Sequence, residues 1–258
     1  MRVLLIATYE LGHQPLNLAS PAAHLAQAGC DVSCLDLSVQ PFDDTLAGEA
    51  HLVAFSTPMH TALQLALRAA ERVRKLNPRC HICFYGLYAG LHAQQLLRRG
   101  IDFVVGGEFE RGLAQLAHAL QNGGPVPAEG VISHTHAGGV FLGRQSFLLP
   151  KRDLLPPLER YAHLLNDSRQ SQVGYVEASR GCAHRCLHCP ITPVYRGKLR
   201  LVPREVVLAD IEQLVESGAE HITFGDPDFL NAVKHSAAVV DEMHRRHPAL
   251  TFDFTAKI

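Results

Sequence analysis

The chain has 258 residues, 47% of them hydrophobic, with 24 Lys and Arg against 25 Asp and Glu. A formal net charge of −1 excludes bulk attraction to nucleic acid or to an anionic membrane surface. No apolar run approaches the roughly 18 residues that a membrane helix needs, and the length accommodates one large domain or two of ordinary size.

Val3-Leu4-Leu5-Ile6-Ala7 is a five-residue apolar run, too short for a signal-peptide core and patterned as a strand buried on both faces. Seven cysteines, an odd number, without a secretion signal point to a reducing, cytoplasmic setting in which some thiols bind metal or react. Ser20 reads as the N-cap of a helix, with Pro21 at its first position and Gly29 just past its end. Strands follow at Val32–Leu37 and Leu52–Ser56. A helix then spans Thr61–Leu76, with Leu63, Ala66, Leu67, Ala70 and Val73 on one face. His81–Tyr85 is a fourth strand, Leu91–Arg99 a helix ended by Gly100, Phe103–Val105 a fifth strand and Glu110–Gln121 a closing helix.

This alternation predicts an α/β domain over residues 1–122, a doubly wound parallel sheet, because parallel neighbours need helical crossovers. Such sheets bind ligands beyond the carboxyl ends of their strands. The loops there, Tyr9–Ala19, Ser56–His60, Gly86–Gly90 and Gly106–Glu110, are rich in small, polar and glycine residues, and none carries Gly-x-Gly-x-x-Gly. Residues 123–172 collect Gly, Pro and His and read as a linker with short strands around Val131–His134 and Val140–Leu142.

From Val173 a further strand, Gly174 to Ser179, runs into Arg180-Gly181-Cys182-Ala183-His184-Arg185-Cys186-Leu187-His188-Cys189. The spacing is Cys-x3-Cys-x2-Cys. Three thiolates so close can take three corners of a cubane iron–sulfur cluster and leave one iron open. A structural zinc site is the other reading, but zinc wants four ligands, and only His184 or His188 stands near enough to complete the set. Downstream, Pro203 opens a helix with Val207, Ile211, Leu214 and Val215 on one face, ended by Gly218. The strand His221–Phe224 follows and runs into Gly225-Asp226-Pro227-Asp228.

At the three cysteines the sequence resembles the radical S-adenosylmethionine enzymes. The resemblance implies a [4Fe-4S] cluster on Cys182, Cys186 and Cys189 whose fourth iron chelates S-adenosylmethionine, and cleavage of that cofactor to a 5′-deoxyadenosyl radical. It also implies that Gly225 and Asp226 contact the methionine amino group; an ordinary Asp-Pro strand-end turn is the alternative. Six basic residues between Arg180 and Arg204, with no acid among them, suit an acidic electron donor, reduced flavodoxin or ferredoxin.

With the α/β domain in front, the chain resembles the cobalamin-dependent branch of that superfamily, whose amino-terminal domain is flavodoxin-like (Rossmann-like). The resemblance implies cobalamin contacts at Ser56 and Thr57 after the third strand and at Gly106, Gly107 and Glu108 after the fifth. The Asp-x-His-x-x-Gly cobalt-ligating motif is absent from the loop after the first strand, where His13 is the only histidine and the candidate contact. Tyr9–Pro15 and Phe224–Asn231 further resemble a subfamily with a cysteine- or selenocysteine-containing carboxyl-terminal tail, which is not present in these residues. Methyl transfer to carbon is the implied reaction. A radical enzyme without cobalamin and a non-catalytic iron–sulfur, cobalamin-binding or electron-transfer protein stay open as alternatives. Cys80 and Cys83 point to opposite faces of their strand, and with Cys30 and Cys34 they read as core residues.

Val173 to Ile258 is 86 residues. A six-unit partial barrel at roughly 30 residues per βα unit needs on the order of 180. The expectation for 173–258 is therefore the amino-terminal part of a barrel, in a truncated or split chain.

Overall fold

The computed structural model describes residues 1–127, 129–166 and 169–257. The first half contains β1 (Arg2–Ala7), α1 (Leu16–Gln27), β2 (Asp31–Asp36), α2 (Asp44–Glu49), β3 (Leu52–Ser56) and α3 (His60–Leu76). It continues through β4 (His81–Tyr85), α4 (Leu87–Leu91), α5 (Ala93–Arg98), β5 (Phe103–Val105), α6 (Phe109–Asn122) and β6 (Val131–Ser133). The sheet order is β2-β1-β3-β4-β5-β6, with β1 to β5 parallel and β6 antiparallel to β5. The period-two alternation of β1 divides its side chains between two cores. Leu4 and Ile6 pack with Phe55, Phe84 and the α3 residues Ala66 and Val73. Val3, Leu5 and Ala7 pack with Leu18, Ala22 and Leu25 of α1 and Leu113 and Leu116 of α6. Cys80 and Cys83 fall in different cores, as their positions in the sequence require.

Four local expectations are corrected. Helix α1 begins at Leu16, so Pro21 lies inside it and Ser20 is not its N-cap. Pro21 has no N–H for the Asn17 carbonyl, and the Tyr85 hydroxyl supplies the missing donor at 2.7 Å. The Leu91–Arg99 helix is replaced by α4 and α5, which meet at His92. The short α2 was not anticipated, although Asp43 caps it by accepting from the Thr45 and Leu46 amides at 2.9 and 3.0 Å. In the expected linker, residues 131–133 join the first sheet as β6, whereas Val140–Leu142 makes only an isolated bridge, Phe141 to Gly107.

The second half contains β7 (His163–Asn166), β8 (Arg169–Val176), β9 (Ser179–Gly181), α7 (Ile191–Tyr195), β10 (Leu199–Leu201), α8 (Arg204–Glu216), β11 (His221–Phe224), α9 (Val233–Arg246) and β12 (Thr251–Phe254). Its sheet runs β12-β11-β8-β7, with β8, β11 and β12 parallel and β7 antiparallel. Val176, Ile222 and Phe224 pack beneath Ile211 and Leu214 of α8 and Val239 and Met243 of α9. The expected strand 174–179 instead divides: β8 ends at Val176, and Ser179–Gly181 pairs antiparallel with β10. Every residue of β12 is exposed.

Arg152, buried between the two sheets, joins them. Its Nε and Nη2 reach Asp210 of α8 at 2.6 and 2.7 Å. Nη1 donates to Gln14 at 2.9 Å, and Nη2 also donates to the Tyr175 carbonyl at 2.7 Å. Among the described residues no helix is long and apolar enough to cross a membrane.

Candidate active site between the two sheets

The carboxyl ends of both sheets open onto one cavity of about 200 Å³. Ser56, Gly86 and Gly107, which end or follow β3, β4 and β5, line it from one side. Tyr175, Glu177 and Gly225, at the ends of β8 and β11, line it from the other, with Gly181, Ile191 and Tyr195 flanking the cysteine loop.

That loop, residues 182–198, is closed at its base by the β9–β10 ladder, where Gly181 faces Leu199. Gly181 has φ +73°, and a Cβ there would meet the Lys198 carbonyl oxygen at 2.3 Å, so only glycine allows the two chain ends to approach. Cys182, Cys186 and Cys189 are free thiols, each partly exposed. The Cys186 carbonyl accepts the Cys189 N–H at 3.3 Å and the Thr192 hydroxyl at 2.9 Å, which gives the loop its turn. Among the described residues no three His, Cys, Asp or Glu side chains gather closely enough to hold a single metal ion. A cubane asks for something different: each thiolate takes its own iron, so the sulfurs surround a cluster and need not meet at a point. Three unpaired thiols within eight residues fit that demand. Zinc fits less well, since Nε2 of His184 is already 2.8 Å from Asp228.

Asp226 is buried behind the cavity. It accepts the Ala178 N–H at 2.9 Å and the Ser179 hydroxyl at 2.5 Å, which pins the chain where β8 gives way to β9. Burial raises its pKa, and those two donors oppose the shift. Gly225 lines the cavity, and the Tyr175 ring crosses it so closely that a Cβ would lie 1.9 Å from the Tyr175 hydroxyl oxygen.

On the first sheet Ser56 donates to Glu10 at 3.1 Å. Thr57 lies behind the wall, its hydroxyl donated to the Tyr85 carbonyl at 2.7 Å. Gly106 and Gly107 lie beneath Val140 and Phe141; at Gly107, φ is +78° and a Cβ would meet the Phe141 carbonyl oxygen at 2.1 Å. His13 stacks on Tyr175 with ring centroids 4.8 Å apart, and burial lowers its pKa. Its Nδ1 is buried with no hydrogen-bond partner.

Glu108 turns away from the cavity into a buried charge network. Arg180 lies between the Phe109 and Phe147 rings and donates to Glu110 at 2.5 Å and to Glu177 at 2.8 Å, with Glu108 at 3.6 Å. Tyr195 donates to Glu108 at 3.0 Å. One guanidinium thus faces three carboxyls. Burial raises Glu108 and pushes Glu177 up to about 6, against the pull of Arg180. At Glu110 the Arg180 charge and the Ser20 hydroxyl outweigh burial and hold the carboxyl at about 2. Arg180 is therefore committed internally, and of the six basic residues expected to act as a patch, Arg185, Arg196, Lys198 and Arg204 are exposed, as is Leu187 of the same loop.

Tyr175, Glu177, Arg180 and Tyr195 were not singled out from the sequence as site residues. The available signal was strand parity: Tyr175 and Glu177 alternate with core-facing Val176 and so share the opposite face.

The chain matches the family model described as "B12 binding domain" over residues 2–117. It is 29% identical over 215 residues to the hopanoid C-3 methylase of Methylococcus capsulatus, covering 80% of this chain and 41% of that protein. A structure of the radical S-adenosylmethionine methyltransferase TsrM from Kitasatospora setae, with tryptophan substrate and an S-adenosylmethionine analogue bound, superposes with TM-score 0.75 at 21% identity. It covers 96% of this chain and 52% of TsrM. The cobalamin-dependent S-adenosylmethionine radical enzyme OxsB, with aqua-cobalamin bound, superposes with TM-score 0.74 at 15% identity, covering 99% of this chain and 38% of OxsB. The chain thus spans about half the length of these relatives or less. The likeness to the two solved structures shows the fold alone, a parallel α/β domain followed by a second, smaller set of parallel strands and helices. Residues 2–117 thus match a B12 binding domain, and the chain as a whole is similar to cobalamin-dependent radical S-adenosylmethionine enzymes.

Proposed function

We propose that the protein acts as a cobalamin-dependent radical S-adenosylmethionine enzyme with methyl transfer to a carbon centre as its reaction. Cys182, Cys186 and Cys189 would hold a [4Fe-4S] cluster, leaving one iron for the amino and carboxylate groups of S-adenosylmethionine. Together these groups supply one-electron cleavage of the sulfonium to methionine and a 5′-deoxyadenosyl radical. The remaining work falls to this chain's own residues. Ser56 and Gly107 would face cobalamin at the ends of the first sheet, with His13, Thr57, Gly106 and Glu108 shaping the wall behind. Gly225 would admit S-adenosylmethionine close to the backbone, while Asp226 holds the β8–β9 turn on which the cysteine loop stands.

The observation that carries this reading is the facing of two sets of strand ends across one cavity beside the cysteine loop. Strand ends of this kind are the ligand-binding edge of open α/β sheets. Here two cofactors would meet across the mouth of this cavity, with half-buried Glu177 and buried Arg180 as ionisable groups lining it.

The reductant would be flavodoxin or ferredoxin in the cytoplasm. Arg185, Arg196 and Lys198 are exposed in the same loop as Leu187 and would offer positive charge to an acidic donor. Anaerobic reconstitution with iron, sulfide and cobalamin, then dithionite and S-adenosylmethionine, should give 5′-deoxyadenosine and retained cobalamin. No 5′-deoxyadenosine would count against the enzyme reading. Formation of 5′-deoxyadenosine without retained cobalamin would favour a radical enzyme that does not use it.

A further inference from the structure

Asn231, in the turn after β11, meets the start of the cysteine loop. Its amide nitrogen donates to Cys182 Sγ at 3.4 Å and to the Asp228 carbonyl at 3.0 Å, while its Oδ1 accepts the Ala183 N–H at 3.3 Å. These partners fix the amide's orientation: a backbone donor and a backbone acceptor claim the two ends, so the nitrogen and not the oxygen faces the sulfur. Asp228 braces the same contact. Its buried carboxylate meets His184 Nε2 at 2.8 Å and accepts the Leu230 and Lys257 amides at 3.2 and 3.4 Å. The loop after β11 therefore grips the cysteine loop at Cys182, Ala183 and His184.

We propose that Asn231 is a positioning residue that sets the reduction potential of a [4Fe-4S] cluster held by Cys182, Cys186 and Cys189. This rests on the cluster reading above. An N–H donated to a ligating thiolate stabilises negative charge on the sulfur. It therefore favours the cluster after it has gained an electron, and raises its potential. Asp228 keeps the donor in place by holding His184 and the turn that carries Asn231.

The test is a redox titration of the full chain, reconstituted anaerobically with ferrous iron and sulfide. Dithionite supplies the electron, and the signal of the one-electron-reduced cluster is followed by electron paramagnetic resonance. Asn231→Leu removes the donor at similar volume and should move the midpoint to more negative potential. Asn231→Asp keeps the shape, has no N–H to give and adds a charge, so its shift should be larger in the same direction. An unmoved midpoint in both variants, with iron and sulfide content like the parent, overturns the proposal. Loss of cluster uptake in both, with an unchanged thermal melt, assigns Asn231 to loading and overturns it equally. Failure of the parent chain to take up iron and sulfide is a separate result that overturns the cluster reading itself.

Discussion

Arg180 donates to Glu110 at 2.5 Å, joining the residue two before Cys182 to the first turn of α6. The contact lets the cobalamin-binding-type domain hold the base of the cysteine loop. It is fully buried, and the Ser20 hydroxyl donates to the same carboxylate oxygen at 2.7 Å. A buried pair of this kind is fragile because removing one member leaves the other desolvated without compensation.

Arg180→Met should therefore destabilise the protein by about 3–5 kcal/mol, the cost of leaving a buried charge unpaired. Glu110→Gln should cost less, since Arg180 keeps Glu177 as a partner at 2.8 Å. Urea unfolding of both variants measures the difference. Equal midpoints for Arg180→Met and the parent would show that the network contributes nothing.

Glu10 gives the pH dependence. Burial holds its carboxyl neutral up to about 8 from an ordinary value of 4.5, although the Asn17 amide and the Ser56 hydroxyl pull the other way. Between those values the folded protein binds more protons than the unfolded chain, so the stability associated with this group is present below pH 4.5 and lost as pH rises through 8. Glu10→Gln, which mimics the neutral acid, should raise the thermal midpoint above pH 8 and flatten the fall between pH 5 and 8. A slope identical to the parent's would assign the dependence to other groups.

Two glycines with nearly the same backbone separate strain from crowding. Gly29 has φ +79° and open space around it, whereas Gly107 has φ +78° with the Phe141 carbonyl oxygen 2.1 Å from any Cβ. Gly29→Ala should cost about 1 kcal/mol, from the left-handed conformation alone. Gly107→Ala must also displace the strand-like segment at Phe141 and should cost several times as much. Chemical denaturation of the pair decides, and equal losses would mean that the cover yields freely.

Thiol reactivity divides by the same logic of burial. Cys80 and Cys83 are buried, and burial pushes the Cys80 thiol up to about 11 and Cys83 further. Cys182, Cys186 and Cys189 are partly exposed. Iodoacetamide at pH 8 should alkylate the three loop cysteines of the metal-free protein before Cys80 or Cys83, as peptide mass mapping will show. Loading with iron and sulfide should protect those three and leave the other two unchanged.

Much of the fold was legible because its signals are local. β3, β4, β5 and β11 stand where apolar runs bounded by turn residues put them, and α3 and α8 follow their apolar stripes. Ser20-Pro21 misleads because a proline at a helix start and one inside a helix look alike in sequence; the hydroxyl that makes the interior position tolerable is on Tyr85, 68 positions from the Asn17 carbonyl it serves. The short strand at Val131–His134 is legible in the sequence, but three residues do not say which sheet they join; pairing with β5 decided that.

The site divides along the same line. The cysteine spacing and the strand–loop setting are properties of ten consecutive residues, and by themselves they pointed to the chemistry to look for. Which side chains face the cavity, and which are spent behind it, depended on contacts between distant segments. Asp226 is taken by Ala178 and Ser179, 48 and 47 residues away, Glu108 by Tyr195, 87 away, and Arg180 by Glu110, 70 away. A carboxylate in a motif is available to a ligand only if no buried donor claims it first. That competition is settled when the two sheets pack their carboxyl ends together, because burial removes the water that would otherwise satisfy each group alone.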